Sequence, residues 1–338
     1  MGKPIGGVEA VTRRRLWITS AVSVLVLLAA LLTLPLIGSA EIDYTRALAG
    51  ESPHKEILFQ VRLPRVLLAM LAGGALSLAG VLFQALLRES LATPYTLGVS
   101  SGASLGAVLA ICFGWREFAG FNAVWAAAFA GAGATLLLVM SIASSGSRMS
   151  SFTLLMAGVT INSICMALIL FFQNLATFGQ SFSIVRWLMG GIEPLEYATL
   201  GWLAGGIGLA AAITFAQARH WNLLAVGEEW AFIRGISTSR LMFSGFLLGS
   251  FLTGSVTALT GPIGFVGLIV PHALRIVLGA DHRLLIPSSF FLGAVFLAIC
   301  DTVSRIILAP AEIPVGVITA MLGGPFFIWL LRSRRRIL

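Results

Sequence analysis

Ten apolar stretches joined by short polar segments constrain this chain more than any other feature. They cover residues 16–37, 66–87, 95–113, 121–143, 152–172, 197–215, 241–259, 265–278, 285–307 and 315–331. A helix needs about 20 predominantly apolar residues to cross the hydrocarbon core of a bilayer. Inside lipid every backbone N–H and C=O must be satisfied within the protein, which leaves helices or closed barrels. Runs of this length are too long for barrel strands. The 338 residues are 58% hydrophobic and 11% charged, against about 25% charged in soluble domains. The predicted fold class is therefore an all-α polytopic membrane protein of about ten transmembrane helices. Only the joins 38–65, 173–196 and 216–240 have room for structure of their own. One membrane domain over 1–338 is expected, with a short tail at 1–15 and one substantial loop at 216–240.

Charge orients the chain. With the N-terminus in the cytoplasm, fifteen Lys and Arg residues fall inside and seven outside. Short cytoplasmic loops carry the excess of Lys and Arg, so this choice is preferred. An even number of spans then puts both termini in the cytoplasm. The start, Arg13-Arg14-Arg15 followed by 16–37, has a signal-peptide outline with Gly38-Ser39-Ala40 as the cleavage site. Its apolar run is longer than the 7–15 residues of a signal core, so it is read as an uncleaved first span.

Several chemistries lack their residues. The two lysines, Lys3 and Lys55, stand in no G-x-x-x-x-G-K-S/T loop, so no P-loop nucleotide site is present. The four histidines form no H-x-x-x-H pair, and Cys112, Cys165 and Cys300 each sit inside an apolar run without metal-ligand or redox spacing. No catalytic residue, cofactor, metal or nucleic-acid partner is expected.

Four features speak to architecture. Residues 261–275, GPIGFVGLIVPHALR, hold an apolar run interrupted by Gly and Pro and too short to span the membrane. Such segments occur where a membrane protein lines a path or contacts a partner; an ordinary core helix with a Pro stop is the equal alternative. Gly98, Gly102 and Gly106, and again Gly245 and Gly249, recur at the spacing that lets helix backbones approach closely. Residues 65–106 and 240–279 share an order of basic residue, Gly-rich span, Gly/Pro break and short Gly-rich span, the outline of an inverted repeat. Finally, residues 227–235 read as a short helix between two glycines, with Glu228 and Glu229 at its N-terminal end and an apolar Trp230-Ala231-Phe232-Ile233. An apolar patch on a loop suggests a protein partner, and a helix lying on the membrane surface is the alternative.

These motifs carry a resemblance. GPIGFVGLIVPHALR followed by Gly279 and Asp281-His282-Arg283 resembles the signature of the permeases of type II ABC importers for ferric siderophores, haem and cobalamin. Arg62-Leu63-Pro64-Arg65, a Gly-rich span ending in Gln84, and the turn 91–103 resemble that family's first signature. Two departures stand out: Glu89-Ser90 replaces the usual Asn-Pro, and Ile233-Arg234-Gly235-Ile236 departs from the usual Leu-Gly ending of the coupling loop.

The resemblance implies a permease without bond-making chemistry, most simply importing ferric siderophores, with cobalamin or haem as alternatives. It implies two cytoplasmic ATPase subunits, a periplasmic or lipoprotein substrate-binding protein, and a second permease subunit forming a homodimer (or a heterodimer with a related chain) in the inner membrane. It also assigns positions. Arg62, Arg65 and Arg305 would dock the binding protein, with interfacial snorkelling as the alternative for these outer cations. Glu89, Ser90, Leu91, Ser151 and Phe152 would form the cytoplasmic gate. Gly227, Glu228, Glu229, Ala231 and Gly235 would couple to the ATPase. Asn162, Gln173, Asn174, Gly316 and Thr319 would line the pathway, although hydrogen bonding between helices would equally explain polar residues there. An ion-coupled transporter would need ionisable groups within the spans, and only Asp301, Arg305 and His272 come close. A membrane enzyme lacks any clustered His, Asp or Cys set.

Overall fold

The computed structural model describes residues 12–38, 40–115, 117–118, 121–143 and 151–334. Lys3, Arg116, Arg148, Arg335, Arg336, Ser39 and most of the expected tail at 1–15 lie outside them. Each of the ten apolar stretches forms a helix. We number these α1 (Arg13–Thr33), α2 (Leu63–Leu87), α3 (Val99–Cys112), α4 (Ala123–Ala143), α5 (Ser151–Leu175), α6 (Tyr197–Ala216), α7 (Thr238–Thr260), α8 (Val266–Leu278), α9 (His282–Ile306) and α10 (Val315–Arg334). Seven are long and apolar enough to cross a bilayer, while α3, α8 and the apolar part of α10 are shorter. The only strands among the described residues are a two-residue antiparallel pair at Glu117–Phe118 and Phe121–Asn122. The chain is an α-helical multi-pass membrane protein.

The bundle is built around α2, whose apolar window is 89% buried. It packs against α9, α7, α8 and α6, while α3 packs on α4, α5 and α7. Lipid tails are as apolar as leucine, so helix association here rests on close van der Waals packing and interhelical hydrogen bonds. Small residues supply the closeness. A Cβ at Gly80 would lie 2.0 Å from the Gly267 carbonyl oxygen, so α2 and α8 cross at a distance only glycine permits. The glycine spacing on α3 works the same way, with Gly102 and Gly106 set against Gly131 and Ala127 of α4.

The two sequence blocks with matching outlines fold alike in element order. A 25-residue α2 precedes a 14-residue α3, and a 23-residue α7 precedes a 13-residue α8. Each pair is separated by a turn with a left-handed glycine, Gly98 or Gly261.

Polar joins gather at two ends. We call the end formed by 88–94, 218–235 and 279–282 proximal, and the end formed by 38–62, 176–196 and 308–314 distal. Proximal joins bond to one another, and at the distal end the first turns of α6 and α10 bond to the joins, Tyr197 to the Phe59 carbonyl and Gly316 to the Gly190 carbonyl.

Candidate functional site

The proximal end is organised by two short helices, Ala218–Val226 and Glu228–Ile233, in the join expected at 216–240. The first is firmly anchored. Trp221 is fully buried, and its indole Nε1–H donates to the Thr214 carbonyl at 3.1 Å. Asn222 Nδ2 donates to Asp281 Oδ1 at 2.9 Å, and Asn222 Oδ1 accepts the His282 backbone N–H at 2.8 Å. Burial alone would raise the pKa of Asp281, but hydrogen bonds from Arg283 and Asn222 together with the Arg283 charge hold it at about 2.

The second helix begins after Gly227 and ends at Gly235, whose φ of +80° is the left-handed closure glycine accepts without strain. Its outward face is apolar: Trp230, Phe232 and Ile233 are exposed, with Val226 beside them. Ala231 is 0% exposed and packs inward, where it supports the helix. Glu229 is exposed, whereas Glu228 turns toward the bundle. Glu228 Oε1 accepts from Arg88 Nη2 at 2.9 Å and lies 3.2 Å from Ser151 Oγ. Ser151 Oγ is also 2.7 Å from the Leu86 carbonyl, one of the carbonyls left without a partner at the end of α2. The structure thus joins Glu228, from the expected coupling set, to Ser151, from the expected gate. Glu89 Oε1 accepts the Leu91 backbone N–H at 3.2 Å, Ser90 lies within the same turn, and Phe152 is 71% exposed.

Gln84 is a residue whose role sequence reasoning missed. Pro271 lies inside α8 and has no N–H, so the Gly267 carbonyl four residues earlier loses its helical donor. Gln84 Nε2 donates to that carbonyl at 3.1 Å, and Gln84 Oε1 accepts from Arg275 Nη2 at 2.9 Å. The signal was available: a lone amide in an apolar span, and a mid-helix proline needing a substitute donor.

At the distal end the three arginines come together but not on the surface. Arg62 is 4% exposed and donates to the Leu36 and Ala40 carbonyls. Arg65 places Nε and Nη2 on Asp301 at 3.1–3.2 Å and Nη1 on Glu312 at 2.8 Å. Arg305 Nε lies 3.2 Å from the other oxygen of Asp301, and its Nη2 donates to Thr302 Oγ1. The Asp301 side chain is 1% exposed. The expected Asp301–Arg305 pair forms, yet as a buried pair. All three arginines are largely buried, Arg65 and Arg305 in ion pairs and Arg62 on backbone carbonyls, and the exposed member of the cluster is Glu312. Beside it opens a cavity of about 1000 Å³ whose walls include Trp115, Trp125, Trp187, Arg186 and Glu193.

The pathway set divides. Asn162 and Gln173 are half-buried and Asn174 is exposed on α5. Thr319 is fully buried, its Oγ1–H donating to the Gly316 carbonyl at 3.0 Å. The Gly316 N–H donates to the Gly190 carbonyl, and a Cβ at Gly316 would meet the Met189 carbonyl at 2.1 Å. Within this subunit Gly316 packs α10 onto the turn at 189–190, and Thr319 is buried with its hydroxyl bonded inside its own helix.

A ten-helix apolar bundle with an anchored apolar loop at one end and a charged cluster with an open cavity at the other defines a membrane transport subunit. The chain belongs to the FecCD transport family, whose model matches residues 22–333, and is thus a permease of the type II ABC importer class. It is 40% identical to the ABC transporter permease protein YvrB of Bacillus subtilis, over 84% of this chain and 80% of that one. It is 36% identical to the hemin transport system permease HmuU of Yersinia pestis, and 36% identical to the vitamin B12 import system permease BtuC of Citrobacter koseri. Each alignment covers 82% of this chain and 84% of the relative. Among solved structures, an inward-facing metal-chelate type ABC transporter superposes with a TM-score of 0.81 at 29% identity, covering 94% of this chain and 99% of that one.

Proposed function

We propose that this chain is the membrane subunit of an ATP-driven, binding-protein-dependent importer of a bulky metal chelate, with ferric siderophore as the first cargo to test. It spans the inner membrane ten times with both termini in the cytoplasm, which makes the proximal end cytoplasmic. The observation that carries the reading is the proximal loop. Val226, Trp230, Phe232 and Ile233 form an exposed apolar face on helices whose other sides are anchored by Trp221, Asn222 and Glu228. An exposed apolar patch on a rigid support suits a permanent protein partner, here a pair of ATPase subunits.

In this reading the chain works as a homodimer, with the exposed apolar side of α5 and the exposed Asn174 facing the second copy across the pathway. A binding protein docks at the distal end. Arg62, Arg65 and Arg305 set the charge beneath that docking face, and Glu312 lies at its surface. Nucleotide-driven movement at the loop shifts the preference between two gates, as a differential interaction with two states must. Haem and cobalamin form the second reading, favoured by the cargoes named for HmuU and BtuC.

The test is to purify the cognate binding protein, identify the ligand it retains, and measure whether that ligand-loaded protein stimulates ATP hydrolysis by the permease–ATPase complex. Retention of a ferric siderophore with stimulated hydrolysis is expected. Retention of a cobalamin or a haem moves the cargo to the second reading. A complex whose hydrolysis ignores every loaded binding protein overturns the importer proposal.

A further inference from the structure

The carboxylate of Glu228 gathers three chain segments onto one oxygen. Oε1 takes the Arg88 guanidinium at 2.9 Å and stands 3.2 Å from the Ser151 hydroxyl. Arg88 is the residue directly after α2, and Ser151 is the first of α5. The third segment is the short helix that Glu228 itself begins. Two details make this junction more than a surface ion pair. Arg88 has φ +52° and ψ +30°, the left-handed region, which is strained for a residue that bears a Cβ. Such a conformation persists only where its surroundings over-determine it, and the engaged side chain of Arg88 is such a constraint. The Ser151 hydroxyl has a single proton and two acceptors within reach, the Leu86 carbonyl at 2.7 Å and Glu228 at 3.2 Å. Ser151 is buried, so water does not substitute freely for either.

We propose that Glu228 is an intramolecular clasp: it ties the 88–94 turn that follows α2 to the start of α5, and displacement of the 228–233 helix by its partner frees that turn by withdrawing the carboxylate. This rests on the importer reading and gives it a mechanism. When the helix moves away, the Ser151 hydroxyl donates to the Leu86 carbonyl alone, which keeps the ends of α2 and α5 joined, while Arg88 loses the contact that holds its left-handed turn. The turn 88–94 is then released from the start of α5. The partner touches the exposed apolar face formed by Trp230, Phe232 and Ile233, while Glu228 faces inward and transmits. Glu228 is a positioning residue: it touches neither cargo nor nucleotide.

Two measurements on the full complex with ATPase and binding protein test this. The first is uptake per ATP hydrolysed in proteoliposomes. Arg88→Glu and Glu228→Arg should each lower that ratio roughly tenfold, within the range of coupling between sites, with ATPase co-purification unchanged. The double exchange Arg88→Glu/Glu228→Arg should restore most of it, because the pair reforms with reversed charge and the Ser151 hydroxyl accepts from the new guanidinium. An exchange variant as poor as either single variant overturns the clasp, as does loss of ATPase co-purification in Glu228→Arg, which would make Glu228 a partner contact. The second is the distance between spin labels at Leu91→Cys and Phe152→Cys in a background otherwise free of cysteine. It should lengthen in Arg88→Glu and recover in the exchange variant. An unchanged distance overturns the clasp even if the wild-type complex imports nothing, whereas absent ATP-driven uptake in wild type counts against the importer reading alone.

Discussion

Replacing Asp301 by alanine should be among the most damaging single changes outside the helix crossings. One carboxylate of 1% exposure serves two guanidiniums, Arg65 at 12% and Arg305 at 6%. Removing it leaves Arg65 with Glu312 alone and takes from Arg305 its ion-pair partner. Breaking a buried ion pair from one side costs about 3–5 kcal/mol, because the remaining charge stays buried and uncompensated. Glu312 gives the internal control. Its side chain is 49% exposed, and an exposed pair is worth about 0–1 kcal/mol. At roughly 2–4 °C per kcal/mol for a chain of this order of size, Asp301→Ala should lower the unfolding midpoint by about 6–20 °C and Glu312→Ala by no more than about 4 °C. A third variant, Arg65→Met/Asp301→Leu/Arg305→Met, should be neutral or more stable by up to about 4 kcal/mol, since apolar residues avoid the desolvation of three charges. Buried Cys165 and Cys300 make the assay simple, because a thiol-reactive fluorophore labels them as detergent-solubilised protein unfolds on heating. If Asp301→Ala matches Glu312→Ala, or if the apolar triple variant is as damaged as the single one, the cluster is not the buried ion network described.

Three further outcomes are expected. Gln84→Leu should destabilise by about 1–3 kcal/mol by stranding the Gly267 carbonyl; Pro271→Ala restores a helical donor to that carbonyl, so the double variant should lose less than the sum, and strict additivity in the same thiol assay would contradict the pairing. Gly80→Ala should cost about 1–3 kcal/mol, as expected of overpacking, because its Cβ would sit 2.0 Å from the Gly267 carbonyl; wild-type stability would show that α2 and α8 do not cross there. Asp281 has a folded pKa of about 2 against an ordinary 3.8. Its stabilisation should therefore be full above about pH 4 and vanish as the pH falls toward 2; Asp281→Asn should be less stable at neutral pH yet lack this loss, and parallel acid profiles would refute the assignment.

Much of this architecture was legible in the sequence. Run length and the near-absence of charge pointed to all ten helices, and the glycine spacing on α3 anticipated its crossing with α4. The 227–235 segment showed its two bounding glycines and its apolar middle. What escaped notice shares a physical cause. The positive-inside rule reads on which side a cation lies, not how deep. It does not show that Arg65 meets a carboxylate 236 residues away, inside the bundle. A six-residue helix has too few turns for periodicity to say which face is buried, so only the structure shows Ala231 and Glu228 turned inward. Gly316 and Thr319 fit a thin-walled path by residue type, but small residues serve equally well where a helix meets a backbone turn, and only packing separates the two.

The central claim is that this permease carries cargo inward under the drive of an ATPase on its proximal side and a binding protein on its distal side. It is tested most directly in proteoliposomes holding the purified permease–ATPase complex, with ATP supplied to the proximal face and chelate-loaded binding protein to the distal face. Accumulation of labelled chelate is predicted only when ATP, ATPase and binding protein are all present, each on its assigned side. Accumulation by the permease alone under a proton or sodium gradient, without ATPase or binding protein, would contradict it.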